Sequence, residues 1–143
     1  MAITRETFPL PDVDDPLVAP FFAGAARGEL VVPRCDACAR LVWYPEARCP
    51  VCDGSLSWTP VSGRGTLFTW VVVRRAFLPA FEDKVPFVTG LVALDEDPEV
   101  RIVGYVDGDP AELRADMPVT VDFRPLTFST VPGHAVVVPW WVR

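Results

Sequence analysis

The chain has 143 residues, half of them hydrophobic and 22% charged, a balance that supports a packed core and excludes a disordered polymer. Its 13 Lys and Arg against 19 Asp and Glu leave a net charge of −6, which opposes nucleic-acid binding because that rests on neutralising phosphates with cationic side chains. The 16 prolines argue against long helices and for short strands joined by rigid turns.

Residues 1–15 read as an extended, proline-broken arm with an acidic patch at Asp12, Asp14 and Asp15. A short helix follows. Pro20 suits its first position, Phe21, Phe22 and Ala25 form its apolar stripe, and Gly28 is a natural C-terminal stop. Leu30-Val31-Val32 reads as a strand leading into a block of four cysteines at 35–52.

The cysteines are spaced Cys35-x2-Cys38-x10-Cys49-x2-Cys52. Each C-x-x-C turn offers two sulfurs from one tight loop, two corners of a tetrahedron around a Zn²⁺ ion. The intervening Leu41-Val42-Trp43-Tyr44-Pro45 can run out and back and bring the second pair over the first. Gly54 after the second pair supplies permissive backbone, whereas Ala39 follows the first. Two disulfides or four unrelated core cysteines are the alternatives, and the paired spacing in a chain with no apolar run behind a basic start favours zinc. Four thiolates would close the shell, so the ion is expected to be structural.

From Gly63 onward the pattern is all-β, with strands expected over 66–74, 87–94, 100–106, 119–123 and 135–138. Between the third and fourth lies one helical turn, with Asp109 as cap, Pro110 in first position and Glu112 placed as a capping-box carboxylate. Five strands with a helical turn there match an OB-fold barrel. The fold expected is therefore mainly β, in three parts: an N-terminal arm and short helix (1–29), a rubredoxin-like zinc ribbon (30–60), and a five-stranded OB-fold barrel with a C-terminal tail (61–143).

Catalytic signatures are missing from the sequence. The one histidine, His134, follows Pro132-Gly133 and reads as a loop residue, and no nucleophile elbow, H-E-x-x-H pair or phosphate-binding glycine loop is present. No catalytic residue is assigned. The longest nearly apolar stretches, 66–73 and 135–142, are far short of the ~20 residues that cross a bilayer, so a cytoplasmic protein without a membrane or nucleic-acid partner is expected.

The order of motifs resembles a known family. Phe21-Phe22, Arg27-Gly28-Glu29-Leu30, the first Cys-x2-Cys, Trp43-Tyr44-Pro45 and Cys49-Pro50-x-Cys52 are followed by Gly63-x-Gly65-Thr66, Val85-Pro86-Phe87 and Ala93-Leu94-Asp95-Glu96. These are similar to prokaryotic proteins joining an N-terminal zinc ribbon to a C-terminal OB-fold, once catalogued as a domain of unknown function and linked to acyl-CoA metabolism. Phe22, Ala39 and the run Pro45-Glu46-Ala47-Arg48 depart from the family's usual residues. The resemblance implies a non-catalytic accessory subunit of a thiolase-superfamily enzyme, a thiolase or a steroid side-chain aldolase, with acyl-CoA at the shared interface.

Within that reading, Phe77, Leu78 and Phe81 in the 75–86 loop and the paired Trp140 and Trp141 of the tail are candidate partner contacts, since aromatic anchors dominate interfaces. Arg74, Arg75 and Lys84 are candidates for CoA phosphates. A single-stranded nucleic-acid module and a stand-alone acyl-CoA-binding protein are the alternative functions.

Overall fold

The computed structural model describes residues 2–143. Helix α1 (Ala19–Ala26) leads into a two-stranded antiparallel ribbon, β1 (Val31–Cys35) with β2 (Leu56–Pro60). Five further strands form a closed barrel: β3 (Arg64–Val73), β4 (Phe87–Leu94), β5 (Arg101–Val106), β6 (Pro118–Leu126) and β7 (Val136–Val142). The barrel order is β3-β4-β5-β7-β6, with β5 and β7 parallel and the other pairs antiparallel. The mainly β architecture expected from the sequence, with a short helix, a ribbon and a five-stranded OB-fold barrel, is the one observed.

Local chemistry accounts for the element ends. The Asp15 carbonyl accepts from the N–H groups of Val18 and Ala19, so the chain turns once before Pro20 enters the helix. At the other end Gly28, at φ 80°, donates to Ala25 while Glu29 donates to Gly24, which satisfies two of the carbonyls left open by the last turn. Asp109 caps the 3-10 turn Pro110–Glu112 by accepting from the Ala111 N–H at 2.9 Å. Glu112 does not complete a capping box. Its carboxylate accepts instead from Arg143 at 2.6 Å, tying the turn to the end of β7.

Two expectations are corrected here. The tail is no tail: Pro139, Trp140 and Trp141 lie within β7, paired with Phe123, Asp122 and Val121 of β6. Trp141 points into the barrel and is fully buried, and a Cβ on Gly104 would come within 2.7 Å of its indole nitrogen, so β5 carries glycine where the ring passes. The N-terminal arm, read as extended, folds onto the barrel and buries Leu10 completely beside Leu126, Phe128 and Val138. β2 was not anticipated at all. Its five residues are too few and too lightly buried to show a clear alternation.

The ribbon and the barrel share one hydrophobic core. Phe21 of α1, Leu30, Val32 of β1 and Leu41 belong to the same buried cluster as Leu67, Val92, Ile102 and Trp141 of the barrel. Among the described residues, no helix is long and apolar enough to cross a membrane.

Candidate functional site

Two matching knuckles build the cysteine cluster. In the first, the Cys35 N–H donates to the Arg40 carbonyl at 2.8 Å and the Ala39 N–H to the Cys35 carbonyl at 2.9 Å. In the second, Cys49 donates to Gly54 and Asp53 to Cys49, each at 2.9 Å. Both knuckles turn through a left-handed residue at the equivalent place, Ala39 at φ 63° and Asp53 at φ 61°. Gly54 therefore is not the permissive turn residue that the sequence suggested. Glycine is required there for space, because a Cβ would meet Cys35 Sγ at 2.8 Å and the Ala37 Cβ at 3.0 Å.

The four sulfurs lie within 4.8 Å of one another, with Cys35 to Cys52 at 3.4 Å and Cys38 to Cys49 at 3.8 Å. These separations are far beyond a ~2.05 Å disulfide bond, and the cysteines are free. They fit the ~3.8 Å edge of a tetrahedron whose metal–sulfur bonds are ~2.3 Å. Cys35 and Cys49 are buried, whereas Cys38 and Cys52 are exposed. The donor set, its spacing and its geometry suit one tetrahedrally bound metal ion.

The electrostatics point the same way. The Cys38 N–H, donating at 3.4 Å, holds the Cys35 thiol down to about 6, and the Cys52 N–H lowers Cys49 in the same manner. The Gly54 N–H favours a thiolate at Cys52, but the neighbouring Cys35 and Cys38 sulfurs outweigh it and push that thiol up to about 12. Four negative sulfurs this close repel one another, so only a bound cation lets all four ionise together. Outside the cluster, Arg48 closes the second knuckle by donating to the Asp53 carbonyl at 2.8 Å and to its carboxylate at 3.0 Å. Asp36 braces the first knuckle by accepting from Ser55 and Ser57 at 3.0 Å each.

The remaining apolar candidates differ in where the fold places them. Phe77 is 85% exposed and Leu78 is exposed, at the loop that follows β3. Phe81 instead folds back, stacked on Phe87 at 5.9 Å and edge-on to Phe128 at 5.2 Å. Trp141, expected at a partner surface, sits in the barrel core and cannot reach one without opening the barrel. Trp140 lies half-buried on the outside, stacked on Tyr105 at 4.4 Å and facing the Arg124 guanidinium at 5.2 Å.

The basic candidates are exposed in part. Arg74 and Arg75 lie just beyond β3, and the Arg75 guanidinium covers the Phe77 ring at 5.5 Å. Lys84 sits over the Phe128 ring at 4.7 Å, and it lines a mixed hollow of about 480 Å³ together with Asp83, Thr127, Ser129 and exposed His134. None of the three cations has a carboxylate partner among the described residues.

Comparison with known proteins follows this division of the chain. Residues 22–59 match the model of the ChsH2 rubredoxin-like zinc ribbon domain, and residues 58–124 match that of the ChsH2 C-terminal OB-fold domain. Among solved structures, a chain of the Ltp2-ChsH2(DUF35) aldolase is 28% identical. The match covers 93% of this chain and 98% of that one, with a TM-score of 0.77. A protein of unknown function from the DUF35 family of Sulfolobus solfataricus shares the fold at 10% identity, over 92% of this chain and 87% of that one, with a TM-score of 0.57. No curated protein sequence matches.

Proposed function

Because the chain belongs to the ChsH2 family of zinc-ribbon and OB-fold proteins, we propose that it is the accessory subunit of a two-component enzyme that makes or breaks carbon–carbon bonds in acyl-CoA thioesters. A thiolase-superfamily subunit is its partner and carries the catalytic residues. One observation supports this above the rest: the likeness to the ChsH2 part of an aldolase runs along nearly the whole of both chains. The metal is zinc. Held by Cys35, Cys38, Cys49 and Cys52, it has no open position for water or substrate, and it acts by fixing a segment too small to fold on its own core.

At the barrel end, the loops that border the ligand face of an OB-fold are residues 74–86 and 127–135. Arg74, Arg75 and Lys84 there are the groups for CoA phosphates, with exposed Phe77 and Leu78 beside them for an apolar neighbour. Purification of the tagged chain from its source cell should bring down a thiolase-fold subunit. The reconstituted pair, but not this chain alone, should then turn over an acyl-CoA. Turnover by the isolated chain would defeat the accessory-subunit reading. So would salt-sensitive binding of single-stranded DNA in place of any thiolase-fold partner.

A further inference from the structure

The barrel's outer wall departs from what a solvated sheet requires. In an antiparallel barrel exposed to water, inward apolar residues alternate with outward polar ones. Inward positions here are occupied as expected, by Val88 and Val92 on β4 and Ile102 and Val106 on β5. The outward positions are nearly free of charge and mix valine, leucine and phenylalanine with Thr69 and Thr89, while Tyr105 is already covered by Trp140 and Phe87. β4 contains no charged residue, and its outward Thr89 and Leu91 pair with Val71 and Thr69 on one side and with Tyr105 and Val103 on the other. Val71 and Val103 are each 60% exposed, and Phe68, beside the bulge in β3, is 45% exposed. An outer face poor in charge that leaves Val71, Val103 and Phe68 exposed is one that a partner commonly covers.

Inside the Arg64–Asp95 pair at its edge, one charge interrupts this wall. Arg101 lies across the exposed Phe68 ring with its guanidinium 3.9 Å from the ring centre. Its Nε is buried and has no hydrogen-bond partner among the described residues. The nearby Arg64 has a carboxylate, Asp95 at 3.8 Å, whereas Arg101 has none among the described residues. A buried donor left unmatched is costly unless an acceptor arrives from outside.

We propose that the outer wall of β3, β4 and β5 is the docking surface for the thiolase-fold subunit, which sets a carboxylate or carbonyl acceptor against Arg101 within an apolar contact. The proposal rests on the accessory-subunit reading above. Charge decides against a second copy of this chain as the occupant. Apart from the Arg64–Asp95 pair at its edge the wall carries one cation and no anion, so a second copy set against it in a two-fold contact would bring Arg101 no free carboxylate. The wall also runs into the loop bearing Phe77 and Leu78, so one partner surface can cover both.

The test measures binding of the chain to the purified thiolase-fold subunit by calorimetry. Val103→Asp and Arg101→Glu should each weaken binding by at least about tenfold. Arg101→Lys should recover part of the loss in Arg101→Glu, because it restores the charge but not the planar fork. All variants should keep their metal content and circular dichroism, because these side chains face outward. Tight binding by both Val103→Asp and Arg101→Glu would overturn the placement while leaving the functional reading intact. No binding by the wild-type chain would overturn both. A wild-type dimer that Val103→Asp dissociates would assign the wall to a second copy instead.

Discussion

Replacing Ala39 by glycine is expected to strengthen the metal centre, and the same replacement at Asp53 is expected to weaken it. Both residues hold left-handed backbone at the same point of a knuckle, φ 63° and φ 61°. For alanine that conformation costs roughly 1–2 kcal/mol. Glycine removes this cost and adds about 0.4–1 kcal/mol of unfolded-chain entropy, so the net gain at position 39 is roughly 0.5–1 kcal/mol. Aspartate tolerates the left-handed region better, and at position 53 it also holds Arg48 through its carboxylate at 3.0 Å. That pair is exposed and contributes about 0.2–1 kcal/mol, so Asp53→Gly loses more than it gains. The two variants should therefore differ by roughly 1 kcal/mol, about a fivefold difference in apparent metal affinity. Competition with a chromophoric chelator at fixed pH reads this directly. Equal affinities, or a weaker centre in Ala39→Gly, would refute the view that backbone strain at the knuckles limits the site.

Gly54→Ala should lose metal under mild chelation although position 54 supplies no ligand, because its new methyl would press on Cys35 Sγ at 2.8 Å. Elemental analysis checks that, with close to one zinc per chain expected for the parent. Trp141→Ala should destabilise the barrel by about 3–5 kcal/mol in a denaturant titration, the usual loss for a buried ring. Trp140→Ala should cost less, because that ring lies outside the barrel core, only partly buried, and is held mainly by its stack on Tyr105. Phe77→Ala should leave stability unchanged, whereas Phe81→Ala should cost about 1–3 kcal/mol by removing the contacts with Phe87 and Phe128.

The cysteine cluster was legible in the sequence because metal chemistry demands a fixed spacing, and nothing else in a short chain imposes it. The barrel was legible for a related reason: apolar strands bounded by turns at 95–99 and 107–112 leave little choice of topology. What escaped was decided by contacts distant in sequence. The last strand was expected to end at 138, yet β7 runs on through Pro139, which pairs with Phe123 of β6 and lies before the pairing with β5 begins at Trp140. Nothing local distinguishes Trp140 from Trp141. Their opposite fates follow from the two-residue period of a strand whose register only the fold sets. Leu10 had no periodic companions in its arm, so its burial could not be read before the barrel surface it covers was known. At the knuckles, Gly54 attracted the conformational explanation that belongs to Asp53, because glycine is used both for left-handed turns and for lack of room.

The hydrophobic cluster that joins Leu30, Val32 and Leu41 to the barrel interior bears on how such proteins can be rearranged. A ribbon of this kind looks like a cassette, a unit that could be cut at residue 60 and exchanged between relatives. Its inner face, however, is finished by side chains of the barrel, and part of the barrel's interior is finished by the ribbon. A chimera that keeps all four cysteines but takes its barrel from a distant relative would bind metal in the unfolded chain and still fail to close. Conversely, chelation should raise hydrogen exchange in β3 and β4 as well as in β1 and β2, since loss of order in the ribbon would reach the barrel through the common core.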